Sequence, residues 1–486
     1  METLFWHDYE TFGVDPRRDR PCQFGGVRTD HDLNEIGTPV QWYCKPAPDF
    51  LPDPVSCAIT GITPQSALQQ GVDEVTFCAN ILGEMAEPGT CNVGYNSLRF
   101  DDEVTRNLLY RNFHDAYERE WKQGNSRWDL IDVLRMTQAL RPEGIVWPLQ
   151  EDGSPSFRLE ALTAANGIEH TDAHDAVADV RVTLAMARLL KQKQPKLYDW
   201  LFQLRSKHRV LPLLDLVKQE PVLHVSRMFA ANRGCLAVVL PLCRHPVNAN
   251  GIVVADLQSD PRAWMQLDVD TMRERLFKRR EDRVEGEVRV PLKTVHINRC
   301  PALAPMKVLN DEACERNGID VAMVQQHREQ LLAVKDLATR VQQVFRESEY
   351  VAATDPDLML YGGSFFGDSD KRLMQRIRQS RPDALAAFTH ELHDPRLPEL
   401  LFRYRARNFP HTLAAGEQQR WHEHCRKRLL GEVAGAGVSL MEFERLLLAE
   451  AERLGPDLQH QLRSYAQAIA AQCGLALPAT SSPAPA

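Results

Sequence analysis

Near its start the chain carries a short apolar run, Thr3-Leu4-Phe5-Trp6, that stops on Asp8-Tyr9-Glu10. Apolar residues that end on acids at this spacing read as a buried strand whose last side chains are charged. Alternate side chains on a strand share a face, so Asp8 and Glu10 point the same way. Two like charges held at the edge of a core raise each other's pKa or repel. A divalent cation removes that cost, which makes the pair a candidate metal site. Spacing alone does not single it out, because Asp101-Asp102-Glu103 repeats it. The reading depends on whether further carboxylates join the pair.

At 486 residues the chain exceeds one ordinary core, so roughly two to four domains are expected. A net charge of -8 argues against a general polyanion binder, although one basic channel remains compatible with it. The 11 cysteines include no Cys-x-x-Cys pair and are expected to be buried free thiols in a reducing compartment. Met1-Glu2-Thr3 does not begin like a secretory signal, and runs such as Cys235 to Cys243 are too short to span a membrane.

Through about residue 190, strand-like and helix-like segments alternate. Strands are expected at Leu4–Trp6, Gln23–Arg28, Val40–Cys44 and Cys91–Tyr95. Helices are expected at Thr76–Met85, Asp102–Phe113, Leu130–Leu140, Leu159–Asn166 and Asp175–Lys193. This is the texture of an α/β layer fold. Pro195 interrupts the pattern, and a helical stretch through Leu204 serves as a connector. Short β-rich pieces follow at Leu223–Ser226, Cys235–Pro241, Gly251–Asp256, Val288–Val290 and Val295–Asn298, suggesting a small barrel or sandwich. Beyond about 310 the pattern is helical, with stretches at Asp320–Phe345, Leu358–Arg378, Gly416–Leu430 and Ser439–Cys473. The Pro/Ala/Ser tail from Pro478 has no apolar pattern and is expected to be disordered.

Two further segments bear on the acids. Asp101 follows the strand Cys91–Tyr95 and opens a helix, where acids also simply favour the helix dipole; Asp102 and Glu103 are expected to stay solvated. Downstream, His174-Asp175-Ala176-Val177-Ala178-Asp179 leads into an amphipathic helix. Residues five apart lie about 140° around a helix, so His174 and Asp179 cannot share a face within one. His174 is therefore expected on the preceding loop, with Asp175 as the N-cap. Taken together, four carboxylates and one imidazole suit phosphoryl chemistry with two metals roughly 3.5–4 Å apart. Hard oxygen ligands select Mg²⁺ or Mn²⁺, and an imidazole can take a proton from water near neutral pH.

The order Asp-x-Glu, Asp, His-x4-Asp resembles the DEDDh exonuclease family, and within it the bacterial exodeoxyribonuclease I branch. The resemblance rests on His7-Asp8-Tyr9-Glu10-Thr11-Phe12-Gly13, on Gly94-Tyr95-Asn96 through Asn107, and on Ser126-Arg127-Trp128-Asp129. It continues in Leu140-Arg141-Pro142-Glu143-Gly144, Ser156-Phe157-Arg158-Leu159-Glu160, Ala173-His174-Asp175, Val295-His296-Ile297-Asn298 and Tyr404-Arg405-Ala406-Arg407-Asn408-Phe409-Pro410. It implies an α/β ribonuclease-H-like exonuclease domain over 1–194. After it come a small SH3-like β-barrel domain with helical insertions over 195–348, an all-α helical C-terminal domain over 349–475, and a disordered tail over 476–486.

The implied activity is processive 3′-to-5′ removal of 5′-mononucleotides from single-stranded DNA in repair and recombination. The implied enzyme is a bacterial cytoplasmic monomer that uses two Mg²⁺ ions, with Mn²⁺ able to substitute. Carried over by position, Asp8, Glu10, Asp101 and Asp179 hold the metals, Asp8 bridges both, Glu10 also meets the terminal nucleotide, and His174 is the general base. Arg158 is expected to grip terminal phosphate. Arg106, Arg111, Tyr117, Trp121 and Arg135 are expected to line the strand, with Lys293 and Tyr361 as further contacts. The family also docks the acidic, hydrophobic C-terminal tail of single-stranded-DNA-binding protein. Arg141 matches that pocket, whereas Gln219-Glu220-Pro221 and Leu309-Asn310 stand where basic residues are expected. Two other readings compete with it: a non-catalytic DNA-binding scaffold, against which all five catalytic positions carry the required residue types, and a relative acting on RNA or as a proofreader, against which the added length after the exonuclease block argues.

Overall fold

The computed structural model describes residues 2–170, 174–284, 286–346 and 353–477. Ala173 of the quoted motif and the tail from Pro478 lie outside them. Strands are β1 (Thr3–Thr11), β2 (Pro21–Thr29), β3 (Glu35–Tyr43), β4 (Thr90–Gly94), β5 (Ser126–Asp129), β6 (Val222–Val225), β7 (Leu236–Arg244), β8 (Gly251–Asp256), β9 (Leu292–His296) and β10 (Leu303–Pro305). The first helices are α1 (Pro54–Thr60), α2 (Pro64–Gln70), α3 (Glu74–Met85), α4 (Asp101–Arg111), α5 (Leu130–Leu140), α6 (Leu159–Ala165) and α7 (Ala176–Lys193). The chain divides into two units: Met1–Asn125 with Thr171–Arg181 and Val351–Ala486, and Ser126–His170 with Val182–Tyr350. Among the described residues no helix is long and apolar enough to cross a membrane.

In the first unit the strands run in the order β3-β2-β1-β4. β1 is antiparallel to β2 and parallel to β4. Leu4, Phe5 and Trp6 are buried, so both faces of β1 are covered. Phe5, Phe24, Phe77, Ile81 and Leu108 share one core between the sheet, α3 and α4. Helices α1 and α2, absent from the expectation, have seven residues each and start with proline behind an Asp53 or Thr63 cap. Seven residues show too little apolar period to read, but Asp-Pro and Thr-Pro are helix starts.

The segment after residue 353 packs onto the same unit through apolar clusters that include Phe50 with Phe443 and Phe113 with Tyr404. Between them lies a buried ion network. Arg407 bridges Asp49 (2.8 Å) and Asp357 (2.5 Å), and Arg403 pairs with Asp355 (2.6 Å) and Asp357 (3.1 Å). The motif Tyr404–Pro410 therefore acts in packing. The expected helix Leu358–Arg378 is broken into a 3₁₀ turn at Pro356–Tyr361 and a helix at Asp368–Gln379. Gly363, at φ 119° between them, adopts a conformation that favours glycine. Likewise Ser439–Cys473 divides into Leu440–Ala449 and Ala451–Gln472, the latter kinked at Gly455 ahead of Pro456.

The second unit holds a five-stranded sheet in the order β10-β6-β7-β8-β9, every neighbouring pair antiparallel. This is the short-stranded β region the sequence predicts. Val288–Val290 is not a strand: pairing begins only at Leu292, after Pro291. The stretch Asp320–Phe345 forms two helices, Val321–Leu332 and Leu337–Val344.

Candidate active site

The five residues singled out by spacing lie in the first unit, on three elements. Asp8 and Glu10 share a face at the end of β1. The parallel pairing with β4 stops at Trp6↔Val93, so β1 outruns its neighbour. The Tyr9 amide beyond that point donates to Asp101 Oδ1 at 3.1 Å, which fixes Asp101 beside the pair. Asp101 is the first residue of α4 and is buried, where the positive helix end favours its anionic form.

The third element is the start of α7. Asp175 caps it, accepting from the Val177 and Ala178 amides at 3.1 and 3.2 Å. Gln23 of β2 ties the helix end to the sheet, donating to Asp175 Oδ2 (2.9 Å) and accepting from the Ala176 amide (2.9 Å). Gly25, which pairs with Asp8 across the ladder, permits this approach: a Cβ there meets Ala176 and Val177 backbone at 2.6 Å. His174 lies outside the helix, as the five-residue spacing requires, in the left-handed region at φ 70°. Ligand atoms of Glu10, His174 and Asp179 lie within 4.8 Å of one another.

The electrostatics are those of crowded acids. Burial, then Asp101, Glu10 and Asp179, push the Asp8 carboxyl well above the usual range. Burial, then Asp179, Asp101 and Asp175, push Glu10 up to about 9. An oxygen-rich cluster of this kind, with one imidazole, fits a hard divalent cation, whose charge would oppose both shifts.

The surrounding residues divide differently from the expectation. Asp102 is not solvated: it is buried against Arg119 at 2.5 Å. Glu103 holds Arg106 (2.5 Å) and accepts from the Tyr361 hydroxyl (2.6 Å). Arg106 is not presented to solvent; it is buried and forked onto Glu120 at 2.7 and 3.0 Å. Arg111 is also buried, and donates to Glu74 at 3.4 Å. Tyr117 is half-buried, with Arg106 over its ring at 5.4 Å. Trp121 is no core residue, being 65% exposed.

In the second unit Arg158 is open, with 82% of its side chain exposed and Glu160 3.6 Å away. Arg135 pairs with Asp132 (2.6 Å) and lies over Phe157. Lys293 Nζ contacts His224 Nε2 at 2.7 Å. Arg141 donates to the carbonyls of Leu140 (2.5 Å) and Val308 (2.8 Å). Sequence reasoning missed Gln23 and Gly25, whose signal, a polar residue and a glycine pair inside a strand, is legible only once β1 is paired with β2.

Three family models match in succession: an exonuclease model over residues 5–187, the Exonuclease I SH3-like domain over 205–347 and the Exonuclease I C-terminal domain over 354–469. Exodeoxyribonuclease I of Escherichia coli K12 is 48% identical over 428 residues, 88% of this chain and 90% of that protein. The Haemophilus influenzae enzyme is 46% identical over 429 residues, with the same shares. Among solved structures, Exonuclease I from Methylocaldum szegediense superposes with a TM-score of 0.90 at 49% identity, covering 96% of this chain and all of that one. E. coli Exonuclease I in complex with a 5cy-dT13 oligonucleotide gives 0.89 at 45% identity over the same shares. Other E. coli structures include a zinc-bound form of the ExoI–ssDNA complex and SSB/Exonuclease I in complex with the inhibitor CFAM, with TM-scores of 0.88 and 0.86. The chain belongs to the exodeoxyribonuclease I family.

Proposed function

We propose that this protein shortens single-stranded DNA from its 3′ end, releasing 5′-mononucleotides, as a bacterial cytosolic monomer acting in repair and recombination. The observation that carries this reading is the convergence of Asp101 on β1 and of His174 and Asp179 on Glu10, in a chain of this family. Asp8, Glu10, Asp101 and Asp179 hold two Mg²⁺ ions, for which Mn²⁺ substitutes. When bound, such ions neutralise charge developing at the reacting phosphate and favour ionisation of the attacking water. His174, outside the helix with a ring nitrogen within 4.8 Å of Glu10 and Asp179, takes that water's proton. Glu10 also meets the terminal nucleotide. Arg158 grips phosphate, and Trp121, Tyr117, Arg135 and Lys293 line the strand. Arg141 contributes to docking the acidic tail of single-stranded-DNA-binding protein.

One assay tests the reading: 3′-labelled single-stranded DNA, RNA and duplex DNA, with and without Mg²⁺. The expected result is metal-dependent mononucleotide release from single-stranded DNA that is lost in Asp179→Ala. Hydrolysis that survives that substitution, or needs no divalent ion, contradicts the mechanism, and preference for RNA moves the protein to another substrate class.

Two further outcomes are expected. Arg158→Ala raises KM about tenfold or more, and the salt dependence of binding becomes shallower by about 0.7 in log–log slope, read from titrations at several ionic strengths. Gly25→Ala forces a backbone shift at the start of α7. Because misplacing a reacting group by about 1 Å costs about a hundredfold, kcat falls by that order, measured beside a thermal melt.

A further inference from the structure

Two carboxamides hold the start of α7 from the sheet. The ladders set Glu10 of β1 opposite Gln23 of β2, and Gln23 opposite Tyr43 of β3. Two residues along, Asp8 stands opposite Gly25 and Gly25 opposite Gln41. Opposed residues and residues two apart share a face, so Gln23, Gln41 and Tyr43 lie on the face that carries the two acids of β1. Gln23 is 1% exposed and uses both ends of its amide. Its Nε2 donates to Asp175 Oδ2 and to the Tyr43 hydroxyl, each at 2.9 Å, while its Oε1 accepts from the Ala176 amide. Gln41, on the edge strand, donates to the same Asp175 oxygen at 2.5 Å.

Capping a helix needs only the amides of its first turn, and Asp175 Oδ1 already takes those of Val177 and Ala178. The two glutamines are additional, and what they secure lies one residue back. His174 has φ 70°, a left-handed backbone that is costly for a residue with a side chain. Such a conformation persists only where its surroundings over-determine it. Asp175, fixed by donors from β2, β3 and α7, anchors the peptide that follows His174. Its own carbonyl accepts from the Asp179 amide at 2.9 Å, so the same anchor carries Asp179. Returning His174 to an extended or right-handed backbone redirects its side chain, away from the place where a ring nitrogen lies within 4.8 Å of Glu10 and Asp179 oxygens.

We infer that Gln23 and Gln41 are positioning residues, which act through Asp175 to hold His174 in the left-handed conformation that sets its ring beside Glu10 and Asp179. The inference rests on the reading of His174 as general base and adds the residues that aim it. Gln23→Met and Gln41→Met test it in the full chain, since methionine keeps the length of glutamine and removes its hydrogen bonds. On oligo-dT, kcat is expected to fall about tenfold or more in Gln23→Met and about threefold in Gln41→Met, with KM and metal-free oligo-dT affinity unchanged. The same substitutions are then made in His174→Ala, whose residual hydrolysis is followed in single turnover. There they should lower the rate no further, because groups that act through one another are not additive. A thermal melt reads the fold of the buried Gln23 variant, and the exposed Gln41 variant carries the test if that one does not fold. A kcat at the wild-type value in Gln41→Met and in folded Gln23→Met overturns the inference, as does a loss of the same size with and without His174, which marks a merely structural role. Hydrolysis by His174→Ala at the wild-type rate is a different failure: it removes the general base itself, and this inference with it.

Discussion

Asp8→Asn is expected to remove hydrolysis while making the metal-free protein more stable. The loss follows from the proposed role of Asp8 as a metal ligand, and should reach about a thousandfold or more in kcat/KM, comparable to losing a transition-state contact. The gain follows from the crowding around it: burial and three neighbouring carboxylates oppose its ionisation, so a neutral isostere relieves the repulsion. Glu10 behaves in the same way: its folded pKa of about 9 lies above the usual carboxylate value of 4.5, so between those values the folded state binds more protons than the unfolded one. Stability of the metal-free wild type therefore falls as pH rises through that window, and Asp8→Asn flattens the slope. Thermal melts from pH 5 to about 9, with and without Mg²⁺, read both effects. Added Mg²⁺ should raise the wild-type melting temperature and leave the variant's almost unmoved.

The second large effect is structural. Arg407→Ala is expected to destabilise the first unit by about 3–5 kcal/mol, because it removes the guanidinium that bridges Asp49 and Asp357 and leaves both buried carboxylates underpaired. In the wild type, burial works to raise both carboxyls. Arg407 with His424 and Arg428 hold Asp49 well below the usual range, and Arg407 with Arg403 and Arg20 do the same for Asp357. Acids depressed in this way contribute stability above their unfolded pKa that is lost as pH falls. The two carboxylate clusters thus oppose each other in pH dependence, the catalytic one favouring low pH and the structural one neutral pH. Urea denaturation at pH 7 reads the loss in Arg407→Ala as a shift in midpoint. A variant as stable as the wild type contradicts this account of the network.

Much of the site was legible because its spacing is local. Asp8 and Glu10 show strand alternation, and the five-residue gap from His174 to Asp179 excludes a shared helix face and so favours the loop for the histidine. What stayed hidden depends on pairing between distant segments. Asp102 reads as a solvated acid of a first helical turn until Arg119 is brought against it. Arg106 reads as an open basic side chain until Glu120 forks it. Trp121 and Phe365 are apolar by composition and exposed by position, and no local pattern separates an aromatic of the core from one left in solvent. In the fold, the long periodic helices were readable, α5 to the residue, whereas α1 and α2 were too short for a period and loop 362–367 was concealed inside an expected helix.

The proposed reaction depends on Asp8, Glu10, Asp101 and Asp179 forming a two-metal centre. Anomalous diffraction from crystals soaked in Mn²⁺ with a single-stranded oligonucleotide tests it most directly. Two peaks are expected roughly 3.5–4 Å apart among these four carboxylates, both weakened or lost in Asp8→Asn. A single peak away from the cluster, or two peaks that persist in that variant, contradicts it.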